Sequence, residues 1–86
     1  MSVIDRSSRP EVRNPVLGLP AAVQALRSLD PQQRAALKVV LMEIRKEALS
    51  RERESYRRRK GPMVSYWMAA ATYLKHIAHA LGKQHA

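Results

Sequence analysis

This chain contains no cysteine, so no disulfide can strengthen its fold and no thiolate can act as a nucleophile or metal ligand. It also lacks a long apolar run. The longest is Trp67–Ala71, far below the ~20 residues that a membrane-spanning helix needs. The N-terminal stretch lacks the apolar segment of a secretory signal. We therefore expect a cytoplasmic protein that is neither secreted nor inserted into a membrane.

Acidic residues are scarce. The 86 residues include 7 Asp and Glu against 16 Lys and Arg, for a formal net charge of +9, and no acidic residue follows Glu54. Such an excess suits a polyanionic or acidic partner. A chain of this length forms one small domain with a modest core. Self-association, or docking on a larger partner, is therefore expected.

Residues that could support catalysis are also few. The sequence has no Gly-rich phosphate loop, no HExxH motif, and no serine with an evident His–carboxylate set. His76 and His79 lie three residues apart, with His85 nearby, but no downstream carboxylate or thiolate completes a metal site. We expect no enzyme activity, no cofactor and no metal.

The chain divides by composition. Pro10, Pro15 and Gly18 interrupt any helical periodicity in a polar, basic N-terminal stretch. We predict a flexible basic arm over residues 1–18, a single three-helix domain over 19–82 and a C-terminal tail over 83–86.

Three helices are indicated by capping and breaking residues. Pro20 suits the first position of a helix that ends at Ser28 or Leu29. Asp30, with Gln33 three residues later, resembles a capping box. No Gly or Pro interrupts the residues that follow Pro31. The second helix is predicted from Pro31 to about Lys60, Gly61 is predicted as its left-handed C-terminal residue, and the third helix runs from Pro62 or Met63 to Leu81.

The apolar seams of the two long helices predict how they pack. The seam of the third helix follows a coiled-coil-like 4-3-4-3-4 spacing, and folding the chain back at Gly61 brings Leu41 near Leu81. We predict an all-α fold in which a short N-terminal helix is followed by a long antiparallel helical hairpin. The predicted seams are Leu37, Leu41, Ile44 and Ala48, continued by Arg51, Ser55 and Arg58, on the second helix, and Met63, Trp67, Ala70, Leu74, Ile77 and Leu81 on the third.

The seams do not match near the turn, where Met63, Tyr66 and Trp67 face polar positions of the second helix. Either arginine stems lie over the aromatic rings or a second chain covers this patch. We favour the second chain, because the core of the monomer is small. Met63, Tyr66 and Trp67 are thus the predicted interface with a partner, with a homodimer expected.

The stretch from Arg51 to Lys60 holds six of the 16 basic residues and two of the 7 acidic ones, a local net charge of +4. A basic rod suits phosphates, and arginine binds them bidentately. We predict a small nucleic-acid-binding protein, with DNA favoured. Base reading by a helix-turn-helix through Gln32, Gln33 and Arg34 is less favoured than phosphate contacts. The predicted nucleic-acid-binding residues are Arg51, Arg53, Tyr56, Arg57, Arg58, Arg59 and Lys60.

The alternative function belongs to another class. The alternative hypothesis is a stoichiometric inhibitor or adaptor, of the kind that mobile elements encode. Its basic helix and the Tyr66/Trp67 patch would dock on an acidic partner protein, since aromatic residues and arginine dominate such interfaces.

Overall fold

The computed structural model describes residues 10–82, and throughout this range it is all-α, with no strand. Its three helices are α1 (Pro20–Arg27), α2 (Pro31–Arg57) and α3 (Gly61–Gly82). Helices α2 and α3 pack as an antiparallel hairpin, and the predicted architecture is confirmed. Residues 1–9 of the predicted arm and the predicted tail lie outside the described residues.

Helix α2 begins at the predicted capping box. The Asp30 carboxylate accepts a hydrogen bond from the backbone N–H of Gln33 at 2.8 Å, and the Gln33 side chain accepts one from the Asp30 N–H at 3.0 Å. Pro31 follows at the first helical position, where its missing N–H costs nothing. These reciprocal bonds satisfy two donors that the helix itself leaves unpaired.

Helix α2 ends at Arg57, earlier than predicted. The Lys60 N–H donates to the Ser55 carbonyl at 2.9 Å and the Arg59 N–H to the Tyr56 carbonyl at 3.0 Å, which is the Schellman pattern. Arg59 takes the left-handed conformation, with φ of 56°. Gly61, which we predicted there, is instead the first residue of α3 and has no positive φ. Arg58, Arg59 and Lys60 therefore lie in the turn rather than on a continuous rod.

The two long helices meet along rows of small side chains. On α2 the buried row is Leu41, Ala48 and Ser55, spaced by seven residues, and on α3 it includes Ala71 and Ala78. Alanine and serine let two helices approach closely, and this close contact sets the rotation of α2. The predicted seam position Ile44 is consequently 48% exposed, so that part of the prediction is wrong. Arg51 and Arg58 are exposed as well, and only Ser55 of that continuation is buried.

The larger core side chains are concentrated at the open end of the hairpin. Leu41, Ala78 and Leu81 form the buried cluster. Helix α1 supplies Leu26 to the same cluster, and Leu29, in the junction just after α1, packs there too, which explains why so short a helix is retained. The partly buried residues packed against this cluster are Leu26, Leu29, Leu37, Leu74 and Ile77.

The chain before α1 is packed against α3. A four-residue helical turn (Pro10–Arg13) precedes a 3₁₀ turn (Pro15–Gly18). Between them Asn14 is buried, and its side-chain amide donates to the His76 carbonyl at 2.9 Å. Val16 is buried too. The packed part of the chain thus begins before residue 19, the domain boundary predicted from the sequence, because Asn14 and Val16 hold it to α3.

The hairpin has two broad faces. The α1 face carries α1, and its remaining surface includes Ile44, Arg51 and Trp67. Successive helical residues turn by about 100°, so counting from the buried rows places Met42 and Met68 on the opposite side, which we call the open face. The smallest dimension of the molecule is 18 Å, less than two helix diameters.

Candidate nucleic-acid interface

The predicted nucleic-acid-binding residues lie together at one end of the molecule, which we call the arginine-rich end. The last two turns of α2 and the Schellman turn bring them there. Tyr56 is 70% exposed, and its hydroxyl and ring are accessible to a ligand. The members of the arginine-rich end are all exposed: Arg51, Arg53, Tyr56, Arg57, Arg58, Arg59 and Lys60.

Glu54 is the main counter-charge at this end. Its carboxylate pairs with Arg57, and with Arg58 at 2.7 Å from Nε to Oε2. The hydrogen bond from Arg57, followed by the charge of Arg57 and the hydrogen bond from Arg58, lowers the pKa of Glu54 below 4.5. One carboxylate thus pairs with two guanidinium groups. Within residues 10–82, Arg53, Arg59 and Lys60 form no ion pair.

A cavity of about 400 Å³ opens beside the turn. It combines an aromatic ring, two cations and the backbone at the start of α3, a set that suits a phosphate with an adjoining base or sugar. Its lining consists of Tyr56, Arg59, Lys60, Gly61 and Val64.

The predicted partner patch is next to the arginine-rich end, on the α1 face. The Arg51 guanidinium carbon lies 6.0 Å from the Trp67 ring centre, and the Trp67 and Tyr66 rings meet edge to face at 4.9 Å. The first of the two predicted arrangements, arginine over an aromatic ring, is therefore present. Met63 is still 40% exposed and Tyr66 58% exposed. No charged residue occurs between Gly61 and Leu74.

Two residues considered for base reading have other roles. The Gln33 side chain completes the capping box, and Arg34 donates to the Leu29 carbonyl at 2.6 Å. Both side chains thus hold the junction between α1 and α2. This arrangement favours a structural role for that junction over a helix-turn-helix reading head.

Comparison with known proteins assigns the chain to no family. No family model matches it, and no match was found among curated proteins or solved structures. None of the described helices is long and apolar enough to cross a membrane. Between residues 10 and 82, no group of three or more His, Cys, Asp or Glu side chains is arranged to hold a metal ion.

Sequence reasoning missed two features. The first is the cavity beside the turn, which exists because α2 stops at Arg57 and Arg59 reverses the chain. The second is the open face, where Met42 is 41% and Met68 45% exposed. The sequence did contain a signal for the open face. Ala48 and Ser55, and likewise Ala71 and Ala78, are seven residues apart, and this spacing marks the rows along which the two helices meet.

Proposed function

We propose that the protein binds nucleic acid, with DNA favoured, through phosphate contacts at the arginine-rich end. The observation that carries the proposal is the concentration of six cations against two carboxylates at an exposed helix end and turn. Glu54 neutralises part of this charge, while Arg53, Arg59 and Lys60 remain without an ion pair among the described residues. Such contacts bind phosphates with little dependence on sequence.

The test is a fluorescence-anisotropy titration of a short labelled duplex, beside a matched single strand, at several salt concentrations. We expect binding that weakens steeply with salt, because each neutralised phosphate adds about −0.9 to the slope of log K against log salt. Weak binding to both forms at low salt would remove the proposal.

A matched pair of variants separates local contacts from net charge. Replacing Arg57, Arg58 and Arg59 with Gln should weaken binding and reduce the slope by about two to three. The control removes three charges elsewhere, by changing Lys38, Lys46 and Lys75 to Gln. If both triple variants lose affinity equally, net charge alone drives binding and the arginine-rich end is not the site.

A second candidate function is protein binding through the uncharged patch of Met63, Tyr66 and Trp67. Of the large apolar side chains in residues 10–82, three are buried (Val16, Leu41 and Leu81) and eleven are exposed. We infer that a second copy covers this patch, since Met63, Tyr66 and Trp67 carry no charge themselves and Arg51 already lies against the Trp67 ring. A basic homodimer would present two arginine-rich ends to one polyanion.

Sedimentation equilibrium tests this candidate. Tyr66→Glu should convert a dimer into a monomer, whereas Tyr73→Glu, further along α3, should have a smaller effect. A wild-type protein that stays monomeric at high concentration excludes the homodimer. A pull-down performed after nuclease treatment then asks whether an acidic protein binds in fixed stoichiometry instead.

A further inference from the structure

The cavity beside the turn lies against backbone that hydrogen bonds hold in place. The Lys60 N–H donates to the Ser55 carbonyl at 2.9 Å, and the Lys60 carbonyl accepts from the N–H groups of Met63 and Val64 at 3.0 Å. Lys60 is thereby joined both to the end of α2 and to the first turn of α3. The side of the cavity that Lys60 and Val64 line is therefore preformed, which lowers the entropic cost of binding a ligand.

Tyr56 lines the same cavity with an aromatic ring that has no structural partner. At 70% it is the most exposed of the large apolar side chains in residues 10–82. Within this range its ring forms no aromatic pair and no cation–π contact, whereas the rings of Tyr66 and Trp67 are paired with each other. An accessible aromatic ring beside cations is the arrangement on which proteins stack the bases of single strands.

The charges beside this ring are positive and available. Arg59 and Lys60 line the cavity, and Arg53 lies about one helical turn before Tyr56. None of these three cations forms an ion pair within residues 10–82. Glu52, four residues before Tyr56, is half-buried and is not part of the lining. Phosphates on either side of a base stacked on Tyr56 would therefore meet unpaired cations.

The size of the cavity suits one nucleotide rather than a stack of base pairs. Its volume of about 400 Å³ is near the lower end of the range for ligand pockets. In a duplex the neighbouring base pairs cover both faces of each base, so a base can lie on Tyr56 only after leaving the stack. Stacking on one aromatic ring yields no more free energy than extracting one paired base costs. The cavity therefore gains affinity only from a base that is already unpaired.

We propose that the cavity holds one unpaired nucleotide of a DNA strand, with its base stacked on Tyr56 and its phosphates bound by Arg59 and Lys60. This inference rests on the proposed function and refines it. The preferred ligand is DNA with a single-stranded segment, such as a duplex with an overhang, whose remaining phosphates contact the rest of the arginine-rich end. Every base has a face that can stack, so we expect little preference for its identity.

A free nucleotide shares this chemistry but makes fewer contacts. It reaches only the cations of the cavity, whereas a strand that enters the cavity also brings phosphates to Arg53, Arg57 and Arg58. Each additional phosphate contact releases counterions and adds to affinity. An anion without a base does not use the ring of Tyr56 at all. The arrangement therefore favours a strand over either small ligand.

The first experiment uses fluorescence anisotropy with the full-length protein and a labelled duplex that ends in a short single-stranded overhang. The reference ligand has the same strands, with abasic sites throughout the overhang, so that it keeps every phosphate and lacks only the unpaired bases. We expect the overhang with bases to bind at least about fivefold more tightly. Equal binding of the two ligands overturns this inference alone, whereas weak binding of both at low salt removes the proposed function as well.

Variants of Tyr56 locate the stacked base. Tyr56→Leu removes the ring and should bring the two affinities to within about twofold, without weakening the binding of the abasic ligand. Tyr56→Phe keeps the ring and should retain the preference, which separates stacking from a hydrogen bond of the hydroxyl. The matched control is Tyr73→Leu, on α3 and 45% exposed. A preference that survives Tyr56→Leu, or that Tyr73→Leu abolishes, contradicts the proposal.

A fluorescent base reports the stacking directly. The overhang carries one 2-aminopurine flanked by abasic sites, and its fluorescence falls when the base stacks on an aromatic ring. At saturating protein, the wild type and Tyr56→Phe should quench the fluorescence, and Tyr56→Leu should leave it close to that of the free DNA. Equal quenching by all three proteins would place the base elsewhere and overturn the proposal.

Competition with adenosine monophosphate separates a strand from a free nucleotide. We expect this nucleotide to displace the overhang duplex only at concentrations at least about a hundredfold higher than an unlabelled overhang duplex requires. Displacement at equal concentrations would show that the cavity is a site for free nucleotides, and the proposal of a bound strand would fall.

Discussion

Asn14 donates a hydrogen bond from its side-chain amide to the backbone carbonyl of His76, 62 residues further along the chain. The same side chain accepts a hydrogen bond from the Val16 N–H at 3.0 Å, which starts the 3₁₀ turn. One buried amide thus joins the segment before α1 to the last third of α3. This connection gives the N-terminal segment a structural role that its composition does not indicate.

Asn14→Ala should therefore destabilise the protein by about 1–3 kcal/mol, because it leaves the buried Val16 N–H and His76 carbonyl with fewer partners. Urea unfolding followed by far-UV circular dichroism measures the change. Asn14→Asp retains the acceptor but loses the donor at neutral pH, and should also destabilise. A change of less than about 0.3 kcal/mol in both variants would show that the contact is not important for stability.

The conformation of Arg59 predicts a stabilising substitution. At a φ of 56° a side chain with a Cβ is strained, and glycine is not. Arg59→Gly should raise the free energy of unfolding by about 0.5–1 kcal/mol. Thermal unfolding at low protein concentration provides the measurement.

Gly61→Ala is the matched control for Arg59→Gly. A Cβ at Gly61 meets no heavy atom within 4 Å, and its φ is not positive. We expect this variant to be neutral or up to about 1 kcal/mol more stable, since alanine favours a helix. If Gly61 were the left-handed residue, both variants would shift stability in the opposite directions.

These residues also show how far sequence reasoning reaches. Local signals predicted the Asp30–Gln33 capping box and the helix order, and the apolar seams of the two long helices predicted the antiparallel hairpin; all are present. By residue type, Gly61 was a better candidate than Arg59 for the left-handed residue that ends a helix, yet the chain turns two residues earlier, at Arg59. At this position tertiary packing of α2 on α3 outweighs the strain of one arginine.

The details of helix packing could not be predicted from the sequence, because they depend on tertiary contacts. The spacing of apolar residues alone does not distinguish the row that contains Ile44 from the row of Leu41, Ala48 and Ser55, because both rows are apolar in their first half. Their difference depends on how closely α3 approaches. The docking of Asn14 depends on a carbonyl of α3, which sequence periodicity does not reveal. The arginine-rich end was found because charge composition is itself a local property.

The row of small residues between α2 and α3 predicts a steric effect. Ala71 is 1% exposed at the contact with α2, whereas Ala69, on the same helix, faces solvent. Ala71→Leu should destabilise the hairpin by about 1–3 kcal/mol through overpacking, and Ala69→Leu should change stability by less than about 0.5 kcal/mol. Chemical denaturation compares the two. Equal stabilities would mean that the helices do not meet along this row.

Glu54 predicts a variant that binds nucleic acid more tightly. Glu54→Gln frees Arg57 and Arg58 from their shared carboxylate and raises the net charge of residues 51–60 from +4 (six basic minus two acidic) to +5 (six minus one). Under the proposed function, duplex affinity at low salt should increase about two- to fivefold. Glu43→Gln, which breaks the exposed pair with Lys46 in the middle of α2, is the control and should have a smaller effect.

The pH dependence of the wild type and of Glu54→Gln tests whether the charge of Glu54 causes their difference. The hydrogen bond from Arg57, aided by Arg58, holds the pKa of Glu54 below 4.5, so the carboxylate is charged at neutral pH. A carboxyl group with a lowered pKa stabilises the fold above its unfolded-state pKa, and this contribution is lost as pH falls through the folded-state value. The wild type and Glu54→Gln should therefore differ in stability and duplex affinity at pH 7, and the difference in stability should shrink as pH falls through the lowered pKa of Glu54. A difference in stability that does not shrink on acidification would assign the effect of the variant to something other than the charge of Glu54.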